Sequence, residues 1–238
     1  MSAPSDADEI TTQLHDACRD GDANRVLELL LQQQPDAALS VDALNGDGDT
    51  PLLTSTRADR LAVVRVLLER GADVDAVDKG GCSSLYVAAR EGFLDVARLL
   101  LESGAAVDKP KNTGMTPLYA ASWSGHLEVV RFLLANRATV DASSEKGMTP
   151  LGTAAQEGRV DVVRLLLEKH APVNARTKLG STPLYLAAGK GRLEAAQVLL
   201  EHGAAVNLGN EFGTTPMMIA AQEGHAEVVR FLLKNKAS

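Results

Sequence analysis

The 238-residue sequence predicts an all-α solenoid, and three observations predict it. A Thr-Pro-Leu triplet recurs at Thr50, Thr116, Thr149, Thr182 and, as Thr-Pro-Met, at Thr215, with Ser83-Ser84-Leu85 filling the remaining slot, so that the spacing is a constant 33 residues. Each period carries two short stretches with helical apolar spacing. Aromatic residues make up only 3% of the chain, too few to fill one large globular centre.

Taken in order, residues 1–11 read as an acidic, disordered segment, and residues 12–238 as the array, its seven units starting near 12, 50, 83, 116, 149, 182 and 215. The first unit is degenerate: Gly21 follows Thr12 by the interval seen elsewhere, around Leu14-His15-Asp16-Ala17, and an insertion spans Gln32 to Asp47. In the later units a glycine precedes the triplet by two residues (Gly48 to Gly213), another follows nine after its start (Gly92 to Gly224), and Gly71, Gly104 and Gly203 mark a later turn. These are turn positions, where positive φ or close backbone approach favours glycine. The first helix of a unit runs through residues such as Leu118, Ala120 and Ala121, with proline at its start, where a missing amide donor does no harm. The second, Leu127 to Leu134, repeats its apolar residues at i, i+3 and i+4. Helices of about ten residues are not stable alone, so each unit must bury its face on the next. Ala88, Ala121, Ala154, Ala187 and Ala220 allow the first helices to approach closely.

These motifs resemble the ankyrin-repeat family: Thr-Pro-Leu, Ala-Ala, Gly125-His126 and Gly224-His225, Leu-Leu, and Gly-Ala followed by Val74-Asp75 or Val206-Asn207, over about residues 12 to 238. The resemblance implies β-turn fingers ahead of each helix pair and a curved array with a concave recognition face. Tyr86, Tyr119 and Tyr185 occupy the family's histidine slot, so the hydrogen bonding that histidine makes there is not expected of those units. Unit two departs further, with Thr54-Ser55-Thr56 in place of a small apolar trio and Asp59 in place of glycine. It is expected to be the least stable internal unit, the array should loosen from its N-terminal side, and Ser55→Ala should stabilise.

Chemistry is sparse. Residues 1–49 hold eleven acids and two bases, so the net charge of −7 is a terminal feature, and no basic stripe suited to nucleic acid follows. His15, His126, His170, His202 and His225 lack metal-ligand spacing. Gly189-Lys190-Gly191-Arg192 superficially resembles a phosphate loop, but it lies between helices and no Ser or Thr follows the lysine. Cys18 and Cys82 fall at different repeat positions and read as reduced, Cys18 as a packing residue. No apolar run approaches a membrane span and the acidic start is unlike a signal peptide, which points to a cytoplasmic location with the nucleus as the alternative. No cofactor, metal or catalytic residue is expected.

The expected function is a non-catalytic scaffold or adaptor that binds a protein or peptide on its concave face. The alternative is a recruiting or targeting segment of a larger protein, an enzyme included. By the resemblance, partners meet the finger tips and the exposed ends of the first helices, which gives Lys79, Cys82, Arg90, Asn112, Met115, Trp123, Glu145, Met148, Gln156 and Lys178 as partner-binding residues. Trp123 is the expected anchor, with Cys82, Met115 and Met148 around it as an apolar island inside a charged rim. The last unit carries an internal apolar pattern (Met217, Met218, Ile219, Val228, Val229, Phe231, Leu233), so a C-terminal extension or self-association is expected to cover that end.

Overall fold

The computed structural model describes residues 6–31 and 40–237. Among them the chain forms fourteen α-helices in seven antiparallel pairs. Two compact blocks divide it. The N-terminal block, Met1–Asn112, holds α1 (Asp6–Asp20), α2 (Ala23–Leu31), α3 (Pro51–Arg57), α4 (Leu61–Glu69), α5 (Ser84–Glu91) and α6 (Leu94–Glu102). The C-terminal block, Thr113–Ser238, holds α7 (Pro117–Ser124), α8 (Leu127–Ala135), α9 (Pro150–Glu157), α10 (Val160–Glu168), α11 (Pro183–Gly189), α12 (Leu193–Glu201), α13 (Pro216–Gln222) and α14 (Ala226–Lys234). Within each block first helices pack on first helices and second on second: α1 on α3 on α5, and α7 on α9 on α11 on α13. The fully buried leucines at one repeat position belong to the core of each block, Leu52 and Leu85 in the N-terminal one and Leu118, Leu151 and Leu184 in the C-terminal one.

Each first helix from α3 onward starts on the same device. Thr50, Ser83, Thr116, Thr149, Thr182 and Thr215 sit in extended backbone, and each side-chain oxygen accepts the amide three residues on, at 3.1–3.4 Å. Such a cap contributes about 1 kcal/mol. Fingers precede these helices. Asn45, Asp78, Ser144, Thr177 and Asn210 open them, donating their amides to Asp49, Cys82, Met148, Ser181 and Thr214 carbonyls. Their side chains also accept amides inside the same loop, as Asp78 Oδ1 does from Gly80 and Cys82 at 2.8 Å. Against a burial penalty, those two amides and the Arg57 guanidinium hold the Asp78 carboxyl below its usual value. Successive fingers are joined backbone to backbone: Asn112 to Gly80 in the N-terminal block, Lys178 to Lys146 and Glu211 to Leu179 in the C-terminal one. On the inter-helix turns, Asp42, Asp75 and Asn174 accept the amides of Asp73, Ala106 and Ala205 in the following repeat. The acidic or amide residue of the Val-Asp and Val-Asn pairs is thus a stacking bond.

Two expectations are corrected. Helix α1 begins at Asp6, so residues 6–11 are helical and not a disordered lead; residues 1–5, and 32–39 of the insertion, lie outside the described residues. Gln13 stands where five of the six later units have proline, and Thr12 donates its hydroxyl to Asp8 O at 2.8 Å within the helix instead of capping it, so the helix extends backwards. In the polar trio, Ser55 donates to Leu52 O at 3.0 Å and Thr54 bonds His15, whereas Thr56 Oγ1 is buried without a partner among the described residues. The destabilising hydroxyl is therefore that of Thr56.

The two ends of the array differ. At the N-terminal edge Arg25 and Glu28 of α2 occupy the positions of Val63 and Val66 in α4, and Arg25 bonds both Glu28 and Gln13 at 3.2 Å. At the C-terminal edge Met218 is 51% and Leu233 54% exposed, while Tyr86 and Leu167, at equivalent internal positions, are buried.

Candidate interaction surface

The first helices of the C-terminal block present one row of variable side chains at their C-terminal ends, set by the 33-residue period: Trp123 on α7, Gln156 on α9, Gly189 on α11 and Gln222 on α13. The next repeat pins the backbone of this row. Arg159 Nε donates to Trp123 O, Arg192 Nε to Gln156 O and His225 Nε2 to Gly189 O, each at 3.2 Å. The last carbonyls of a helix have no partner of their own, so a cationic or imidazole donor reaching across satisfies them and fixes where the row points. Trp123 itself is 47% exposed. Tryptophan, with tyrosine and arginine, is enriched among the hot-spot residues of protein interfaces.

The remaining residues expected at the site divide by block and by role. In the N-terminal block Lys79 Nζ donates to Gly46 O, and Asn112 Nδ2 to Lys79 O, both at 3.2 Å; these are ties between fingers. Arg90 pairs with Glu91 at 2.7 Å. Cys82 is only 8% exposed, with burial pushing its thiol above the ordinary range, and this withdraws it from the expected apolar island. In the C-terminal block Glu145 and Lys178 are exposed on finger tips whose backbones are bonded to the preceding finger. Met115 and Met148 are half-buried, and Met148 lies over Gly152, where an added methyl would come 3.0 Å from its sulfur. Gln156 is half-buried and lines a groove of about 210 Å³ with Tyr185, Leu186, Gly189, Lys190, Ile219 and Glu223.

Two further features belong to this surface. Leu179 and Phe212, at tips of successive fingers, are 59% and 77% exposed. Gly189 leaves the row without a side chain; its sequence signal was a glycine out of register with the turn glycines. It ends α11, with Lys190 as the C-cap, so the glycine-lysine pair sits at the carbonyl end of a helix, where the dipole repels phosphate.

The histidines are placed structurally. His15 Nε2 donates to Ala43 O at 2.8 Å while Nδ1 accepts from Thr54 Oγ1 at 2.7 Å, and burial lowers its pKa. His202 Nδ1 donates to Val198 O at 2.8 Å. Among the described residues no group of three or more His, Cys, Asp or Glu side chains is placed to hold a metal ion, and no helix is long and apolar enough to cross a membrane. Cys18 is fully buried and its thiol is pushed up to about 12, which keeps it protonated and unreactive.

A family model described as ankyrin repeats (3 copies) matches residues 14–111, 71–144, 106–177 and 169–238. No curated protein matches the chain. With paired helices, capped starts, hydrogen-bonded fingers and family matches running from residue 14 to the C-terminus, the chain belongs to the ankyrin-repeat family.

Proposed function

We propose that this chain is a non-catalytic adaptor whose C-terminal block binds a protein or peptide partner along the Trp123–Gln156–Gly189 row and the finger tips beside it. Ankyrin repeats generally mediate protein–protein interaction and are typically non-catalytic. The observation that carries the reading is Trp123: the only tryptophan, 47% exposed, on a helix end anchored by Arg159. Charged Glu145 and Lys178 on the neighbouring fingers supply a polar rim of mixed sign, which suits a protein surface better than a polyanion. Photo-crosslinking tests it. A benzophenone side chain placed at position 145 or 178 should yield a discrete adduct with a cellular protein, while the same group at Arg131, exposed on α8, should not. Equal labelling from all three positions would contradict the assignment.

A further inference from the structure

Gly189 breaks a local rule without a local reason. It is the last residue of α11, its φ is not positive, and glycine is less favourable than alanine in a helix. What glycine provides there is space. The equivalent positions on α9 and α13 carry Gln156 and Gln222, and between them the missing side chain opens the groove of about 210 Å³. A Cβ at 189 would come 3.1 Å from Ile219 Cγ1, so any side chain would fill the opening.

The groove combines aliphatic walls with the polar Gln156 and a charged rim. Leu186 and Ile219 are half-buried aliphatic walls, and the Tyr185 ring forms a third side, its hydroxyl accepting from Asn210 Nδ2 at 3.4 Å. Lys190 and Glu223 stand exposed on the rim, neither in an ion pair among the described residues. The volume lies below the roughly 300–1,000 Å³ of small-molecule sites, which favours a single inserted side chain over a free ligand. An inserted aliphatic group gains burial against Leu186 and Ile219, and the two rim charges ask for opposite charges on either side of it.

We propose that this groove is a side-chain pocket for an extended peptide segment, taking a leucine-sized aliphatic residue flanked by an acid, which meets Lys190, and a base, which meets Glu223. The proposal deepens the interaction reading given above and rests on it.

The test is a peptide array probed with the full chain. Dodecapeptides with randomised flanks carry fixed cores Asp-Leu-Lys, Lys-Leu-Asp, Asp-Ser-Lys, Lys-Leu-Lys and Asp-Leu-Asp. Leucine cores with opposite flanking charges should bind at least tenfold more strongly than the serine core or the like-charged cores. Gly189→Gln, which restores the side chain of the neighbouring rows, should abolish that preference with the melting temperature unchanged or raised; Gly189→Ala should weaken it. Lys190→Glu should move the preference to Lys-Leu-Lys. Equal binding of leucine and serine cores, or a preference that survives Gly189→Gln, overturns the pocket. If the pocket fails in this way while crosslinking at position 178 still marks a partner, the interaction face stands without it; if crosslinking fails as well, the reading on which the pocket rests fails with it.

Discussion

Among the described residues four non-glycine residues adopt positive φ: Asp59 (φ 55), Arg137 (φ 66), His170 (φ 63) and Lys236 (φ 66). Each stands at a repeat position that other units fill with glycine, Asp59 in register with Gly92 and Gly125, the other three with Gly71, Gly104 and Gly203. A side chain in the left-handed region costs about 1–2 kcal/mol, partly offset by glycine's greater freedom in the unfolded chain. Arg137→Gly and His170→Gly should therefore each stabilise by about 0.5–1 kcal/mol, read as a higher denaturation midpoint at unchanged slope. Gly104→Ala should do the reverse. A second residue-scale effect comes from hydroxyls. Thr56 and Ser122 share a repeat position with Ala89, Ala155 and Ala188, and both hydroxyls are buried without partners among the described residues. Leaving a buried hydroxyl unpaired costs about 1–3 kcal/mol, so Ser122→Ala should raise stability by about 1 kcal/mol or more in urea melts. Ser55→Ala, by contrast, removes a hydrogen bond to Leu52 O and should gain less.

At the scale of elements, the packing of α1 on α3 depends on a neutral histidine. Burial disfavours the His15 imidazolium, and the Arg19 charge opposes it too, while the Ala43 carbonyl and the Asp49 and Asp16 carboxylates favour it; the net is a lowered pKa. The unfolded chain then binds a proton that the folded chain does not. Stability from this contact is complete above the ordinary histidine value of about 6.5 and is lost as pH falls through it towards the lowered folded value. Amide exchange in α1 and α3 should accelerate, relative to α9 and α10, between pH 7.5 and pH 5. His15→Gln should remove that pH dependence; an unaltered one would assign the effect to other groups. Fingers show a related element-scale departure. Lys111 replaces the Asn, Asp, Ser or Thr that opens most fingers, cannot accept the loop amides, and instead places its Nζ 5.4 Å from the Tyr86 ring centre.

At the scale of the whole molecule, the period carries most of the fold. The fifteen glycines it places at turns, from Gly21 to Gly224, are the fifteen that adopt positive φ, and Gly46, Gly80, Gly152, Gly189 and Gly209 fall outside both sets. Turn chemistry repeats with the sequence, so it is legible from spacing. The start of α1 was not, because it depends on Thr12 bonding back to Asp8 O instead of capping, which spacing does not show. The surface was legible only in outline. Variable positions mark where partners can touch, but whether a side chain there is free depends on its reach: Lys79 and Asn112 turn back to bond the neighbouring finger, and Cys82 is buried. Trp123, whose backbone carbonyl accepts from Arg159, keeps its indole 47% exposed. The most direct measurement is the affinity of the crosslinked partner for wild type and Trp123→Ala, with the melting temperature of each. Weaker binding by about 2 kcal/mol or more, roughly thirtyfold, at an unchanged melting temperature is the expected result. Unchanged affinity with a lowered melting temperature would contradict it and make Trp123 a packing residue.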